Sequence, residues 1–314
     1  MKAAVVSAFD HPPRYEDVPD PVTSRDDELV VDVVAAGLHP RVRSQADGSH
    51  YTSTGELPLV PGIDGVGRDG DGRLRYFVLP DTTLGSLAEW TVIDVRRSIV
   101  LPDDADPVTL AAAMNPAMSS WVALRRRIEM APGARVLVLG ATGNAGRMAV
   151  QVARRLGAGH VTGVGRDRAT LGELAALGAD RVVAFDDAGA LGDAGEDVDV
   201  VLDYVWGQPT VDALYAIIPR RRDDVQRLTW VQIGSMAGLE APIPSAALRA
   251  ARLEIVGSGQ GSVPARDIVA ELPLLAEEIG RGTFTVDAEP RPLAEVERAW
   301  ADAATTSRRI VLVP

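Results

Sequence analysis

The stretch GATGNAG, residues 140–146, lies between the apolar run RVLVL and the helix-like RMAVQVARRLG. A strand that turns tightly into a helix aims backbone N–H groups and the positive end of the helix dipole at one point, and that geometry binds pyrophosphate. Gly140 can make the turn, Gly143 can let phosphates approach the backbone, and Gly146 can let the helix pack closely on the strand. Thr142, Asn144 and Ala145 complete the candidate cradle. The spacing departs from G-x-G-x-x-G, so the assignment rests on its context of strand, turn and helix. The next strand, HVTGVG, ends at Gly165, Arg166 and Asp167, the place that faces the adenosine ribose of a dinucleotide. Gly165 and Arg166 offer room and a cation for a 2′-phosphate, which favours NADPH. Asp167, one register step on, would instead accept from the 2′-hydroxyl of NADH.

Such residues need a sheet behind them. From about Asp106, short β-branched runs (RVLVLG, HVTGVG, RVVAF, VDVVLDYV, LTWVQIGS, LEIVGSG) alternate with helical stretches (RMAVQVARRLG, RATLGELAALG, TVDALYAIIP). That alternation implies an α/β fold, a parallel sheet with helices on both faces. Open sheets of this kind bind ligands at strand C-termini, so Tyr204, Val205 and Trp206 after the fourth strand and Gly234 and Ser235 after the fifth are candidates. Upstream, DPVTLAAAMNPAMSSWVALRRRIEM has helical spacing, with Pro116 expected to open a second helix. The first third, with KAAVVSAF, ELVVDVVAAGL, LRYFVLP and LAEWTVID between turn residues, reads as a compact β domain. PRYEDVPDPVTSRDDE and RRRDDVQR (220–227) read as solvated loops. After Gly261 come a helix, ARDIVAELPLLAEEIGRG, and a last strand, RRIVLV, expected to rejoin the first domain.

The 314 residues allow two domains, and 46% hydrophobic content indicates a globular chain. No apolar run approaches the ~18–20 residues of a membrane span. The opening MKAAVVSAFDHPP lacks an apolar signal core, which makes the cytoplasm the default expectation. Zero cysteines exclude disulfides and thiolate metal ligands. A formal charge of −12 argues against nucleic-acid or anionic-membrane binding.

Several segments resemble the medium-chain dehydrogenases and reductases, in their zinc-independent quinone oxidoreductase branch. MKAAVV is a similar opening, and ELVVDVVAAGLHPRVRSQ resembles the strand, Asn-Pro loop and following segment of that family. LPLVPGIDGVG resembles its P-x-x-P-G-x-E-x-x-G signature, and MNPAMSSWVAL the helix that crosses into the cofactor domain. The resemblance implies a Rossmann domain inserted into a GroES-like β domain: residues 1–115 for the substrate domain, 116–256 for the cofactor domain, and 257–314 as the return. It also implies a cofactor in the cleft, a homodimer joined through Rossmann sheet edges, and hydride transfer from NADPH to a quinone or enone.

The resemblance places further residues. Tyr51 occupies the loop of a substrate-facing tyrosine and is the first candidate for donating to a developing oxyanion. His39, beside Pro40, replaces the usual Asn and would contact nicotinamide or substrate. Ser119 would sit near the carboxamide, Ser258 and Gly259 in a nicotinamide-side loop, and Arg309 near the cofactor. Zinc members carry His-Glu where this chain has Ile63 and Asp64, and Cys where it has Leu38 or His39. No catalytic zinc site is therefore expected. Alternative readings are an enoyl-thioester reductase and a non-catalytic NADPH-binding sensor or scaffold.

Overall fold

The structure, a computed structural model, describes Met1–Pro314 and divides into two compact units: Met1–Asn115 with Ala265–Pro314, and Pro116–Pro264. The first unit opens with β1 (Lys2–Val5), paired antiparallel with β2 (Arg14–Asp17). The acidic stretch expected to be a solvated loop thus contributes a strand. Its side chains stay mostly exposed, and main-chain pairing plus the Lys2–Asp17 ion pair at 2.7 Å tie it down. β3 (Glu28–Gly37) alternates, burying Val31 and Val33 and exposing Asp32, as one face of an antiparallel sheet requires. There follow α1 (Pro40–Ala46), β4 (Asp64–Arg68), β5 (Leu74–Val78), β6 (Trp90–Asp94) and β7 (Ser98–Val100).

Helix α2 (Pro107–Val122) runs unbroken through Pro116, where the sequence suggested a new helix. Proline removes one backbone donor. Here Ala112, Ala113, Met114 and Ala117 are buried on either side of it, so packing maintains the helix that local propensity would interrupt.

The second unit holds β8 (Arg135–Leu139), α3 (Asn144–Arg155), β9 (His160–Gly165), α4 (Arg168–Glu173), β10 (Arg181–Ala184), α5 (Ala188–Gly195), β11 (Val200–Asp203), α6 (Gly207–Ile217), β12 (Leu228–Gln232), α7 (Ala247–Ala250) and β13 (Leu253–Gly257). All six strands are parallel, in the order β10-β9-β8-β11-β12-β13. In order of appearance this is 3-2-1-4-5-6, the doubly wound Rossmann topology, whose ligand crevice lies at the carboxyl ends beside the first strand. Leu137, Leu139, Val201 and Trp230 are fully buried, as strands covered on both faces must be. Arg221, within the expected solvated loop, is also buried. Its guanidinium donates to the carbonyls of Gly195 (3.1 Å), Val198 (2.7 Å) and Gln226 (3.3 Å), which offsets its desolvation.

The chain returns to the first unit through α8 (Ala265–Gly280), β14 (Ala288–Pro292), α9 (Val296–Asp302) and β15 (Arg309–Val313). β15 pairs with β3, Val311 opposite Gly37 and Leu312 opposite Ala36. Both ends of the chain therefore build one sheet, β14-β15-β3-β4-β5-β7, with β6 also on β3.

Candidate active site

Each glycine of the turn has its own physical reason. Gly140 has φ +86°, and its N–H and that of Ala141 both donate to Val164 O at 2.9 Å, tying the turn to β9. A Cβ on Gly146 would lie 2.1 Å from Gly140 O, so α3 packs against the strand only through glycine. A Cβ on Gly143 would meet only Gly140 O, at an ordinary 3.6 Å. The protein's own packing does not demand glycine there, whereas close approach of a ligand would. Gly143 is also the N-cap of α3, and no side chain caps that helix. The first-turn N–H groups beyond Gly143, including those of Asn144 and Ala145, have no side-chain acceptor and face the usual position of an anion.

At the end of β9, Gly165 leaves the space Thr142 fills: a Cβ would lie 2.5 Å from Thr142 Cγ2. Arg166 is exposed and makes no ion pair. The carboxylate of Asp167 instead caps α4, accepting from Thr170 Oγ1 (2.5 Å) and Ala169 N–H (3.0 Å). Those bonds, the Thr170 hydroxyl first, hold it below the usual carboxylate range. The acid that would read a ribose hydroxyl is committed to its own helix, and the arginine that would read a 2′-phosphate is not. An uncapped helix end, an open Gly143 and an uncommitted Arg166 fit NADPH.

Behind the cradle, Asp203 ends β11 fully buried and satisfied by four donors. Val205 N–H (2.9 Å) and Trp206 N–H (3.0 Å) reach Oδ1; Thr210 Oγ1 (2.6 Å) and Trp230 Nε1 (2.9 Å) reach Oδ2. These bonds hold Trp206 at φ 52°, ψ −169°, a conformation that non-glycine residues rarely adopt. Tyr204 Oη lies 3.0 Å from Ser119 Oγ, and burial pushes the phenol up to about 12. Gly234 packs on the Tyr204 carbonyl (2.8 Å to a built Cβ), and Gly140 packs on Val205 and Tyr204. Ser119, Gly140, Tyr204 and Gly234 are thus brought together, with Ser235 next to Gly234. The Ser258 N–H donates to Gln232 O, and Gly259 closes a turn with Ser262.

In the first unit His39 is buried and its Nε2 lies 2.9 Å from Asp64 Oδ1, while Tyr76 Oη donates to Asp64 Oδ2 at 2.8 Å. Burial pushes His39 below the usual histidine value, against the pull of Asp64. It pushes the Tyr76 phenol well up, with Asp64 adding to the effect. Arg309 is buried too, donating to Leu38 O at 3.4 Å, and burial lowers it to about 10 against the charge of Asp64. The structure therefore groups Arg309 with His39. Tyr51 sits in a different cluster, its exposed ring against His50 (centroids 4.3 Å apart). Burial lowers His50 to about 4, and its Nδ1 lies 2.7 Å from Thr52 Oγ1, beside the Arg41–Asp81 pair.

A profile of the zinc-binding dehydrogenases matches residues 145–277. The probable NADPH-dependent quinone reductase tdiC of Emericella nidulans is 32% identical across 100% of both chains. The chain belongs to the medium-chain dehydrogenases and reductases, in their quinone oxidoreductase-like branch. The quinone oxidoreductase of Thermus thermophilus, also solved in complex with NADPH, is similar over 100% of both chains, with a TM-score of 0.85 and 27% identity. The chloroplastic NADPH-dependent alkenal/one oxidoreductase of Arabidopsis thaliana is 28% identical over 207 residues, covering 58% of this chain and 50% of that relative. Zinc does not suit the donors of this family member: it has no cysteine, and no three His, Asp or Glu side chains gather so that they could hold a metal ion. His39 and Asp64 are instead bonded to each other. Sequence reasoning about this quinone oxidoreductase-like chain passes over Asp64 as a hydrogen-bond partner, Tyr76, and Asp203. A carboxylate ending the apolar strand VVLD is the available signal for the last.

Proposed function

We propose that this chain is an NADPH-dependent oxidoreductase that reduces a quinone or an activated alkene without zinc. The observation that carries the reading is the uncapped N-terminus of α3 behind Gly143, with Arg166 uncommitted while Asp167 is consumed as a cap. The relatives' activities on quinones and on alkenals and enones agree with it. NADPH, when bound, supplies the hydride. The protein's part is to hold the pyrophosphate with main-chain N–H groups and the 2′-phosphate with Arg166. It keeps the loops after β11 and β12 rigid through Asp203, and offers a hydrogen bond to the oxygen that gains charge, from Tyr51. An acceptor already electrophilic needs no Lewis acid for this step.

The same reading makes the protein a homodimer in the cytoplasm. β13 ends the parallel sheet with one edge unpaired within the chain and its residues half-buried, which suits pairing with a second copy. A chain without cysteine needs no oxidising compartment. Anaerobic turnover tests the function: loss of NADPH absorbance on adding 1,4-benzoquinone or an α,β-unsaturated ketone is expected. Tight NADPH binding with no oxidation by either acceptor would make the chain a binder and overturn the reductase reading.

A further inference from the structure

Four ionisable side chains from separate elements meet in the core of the first unit: His39 before α1, Asp64 on β4, Tyr76 on β5 and Arg309 on β15. Asp64 receives two of them, His39 on Oδ1 and Tyr76 on Oδ2. A carboxylate can only accept, so the imidazole must carry its proton on Nε2. The charges also balance without a protonated imidazole. Asp64 supplies one anion and Arg309 one cation, and burial together with repulsion from Arg309 and Arg41 opposes a further cation on His39, against the pull of Asp64. The other ring nitrogen, Nδ1, makes no hydrogen bond, does not cap α1, and is not among the orphaned atoms sealed inside the protein, as Arg309 Nε is.

We infer that Asp64 is a positioning residue that fixes His39 as the Nε2–H tautomer, so that Nδ1 meets the ligand as a hydrogen-bond acceptor and selects one that carries a hydroxyl, as a hydroquinone product does. This rests on the reductase reading above. It gives His39 a defined polarity. Its single ring proton is held by Asp64, so His39 orients a hydroxyl and does not deliver the proton to the reduced oxygen.

The test is nitrogen NMR of protein labelled with 15N-histidine, the His39 signals being those lost in His39→Asn. At pH 7 the expected spectrum shows a neutral ring with hydrogen on Nε2, and anaerobic hydroquinone moves the Nδ1 resonance while Nε2 keeps its proton. An Nδ1–H tautomer, an imidazolium at pH 7, or an Nδ1 signal unmoved by saturating hydroquinone would overturn the inference. Asp64→Asn replaces the acceptor-only carboxylate with an amide that can also donate to Nε2, so the Nε2–H tautomer is no longer required. Its affinity for hydroquinone should fall about 10- to 100-fold with NADPH affinity unchanged. Should that variant not fold, the wild-type spectrum decides alone. An enzyme that oxidises NADPH with quinone but shows the Nδ1–H tautomer defeats only this inference, whereas absence of turnover defeats the reading beneath it.

Discussion

The glycine turn of the second unit and the histidine cluster of the first are built by opposite means. The turn is made of main chain: seven consecutive residues, a positive φ at Gly140, and a helix end left uncapped at Gly143. The cluster is made of side chains drawn from positions 39, 64, 76 and 309, with His39 and Tyr76 bonded to Asp64 and Arg309 to the Leu38 carbonyl. A main-chain site is damaged chiefly by adding atoms, and a side-chain site chiefly by removing them. The first can also be read from local spacing, whereas the second exists only after folding.

Asp203 is where this contrast should break down most visibly, because it is a side-chain support inside the main-chain-built unit. Asp203→Ala strands four buried or half-buried donors and frees the strained Trp206. We expect a loss of about 3–5 kcal/mol in urea unfolding, with weaker NADPH binding in whatever remains folded. A loss under about 1 kcal/mol would mean that the loop after β11 does not depend on it.

Next in size, two alanines in one turn separate packing from binding. Gly146→Ala drives a methyl into Gly140 O and should cost about 3 kcal/mol of stability. Gly143→Ala meets nothing closer than 3.6 Å, so its melting temperature should hold within a few degrees while NADPH affinity falls at least tenfold. Equal stability losses in the two variants would show that Gly143 serves the fold rather than a ligand.

How far the sequence can be read follows the same division. The strand, glycine turn and helix start are legible because they are contiguous from Arg135 to Arg155, and alternating apolar strands and helices announce the parallel sheet. Pro116 misleads because a local rule against proline in helices yields to the buried alanines and methionine around it. Arg221 misleads because nothing local announces the three carbonyls that bury it, two of them on the chain around 195–198. β2 is hidden because an edge strand with exposed side chains carries no apolar alternation. His39 stands out through its place beside Pro40, but its partner Asp64 lies 25 residues away and Arg309 closes the group from the far end of the chain. Such pairings leave no periodic trace.

A smaller effect sits in the tight turn between β4 and β5. Burial opposes ionisation of Asp69, but bonds from Arg75, from Arg73 and from the Asp71 N–H hold its pKa down at about 2, below the ordinary 3.8. A carboxyl depressed in the folded state stabilises it fully above the unfolded value, and that contribution is lost as pH falls from about 3.8 through about 2. Asp69→Asn should therefore flatten the fall of unfolding free energy with pH in that window. An unchanged slope would show that the turn does not draw on the charge.

The glycine turn and the arginine beside it carry most of the proposed NADPH recognition, and calorimetric titration with NADPH and NADH, on the native chain and on Arg166→Ala, tests both together. The native protein should bind NADPH in preference to NADH, and Arg166→Ala should lose about 10- to 100-fold of NADPH affinity while NADH binding hardly changes. Equal affinity of the native chain for both cofactors, or an NADPH preference that survives Arg166→Ala, would contradict the assignment of the 2′-phosphate to Arg166, and failure to bind either would reduce the glycine turn to a turn.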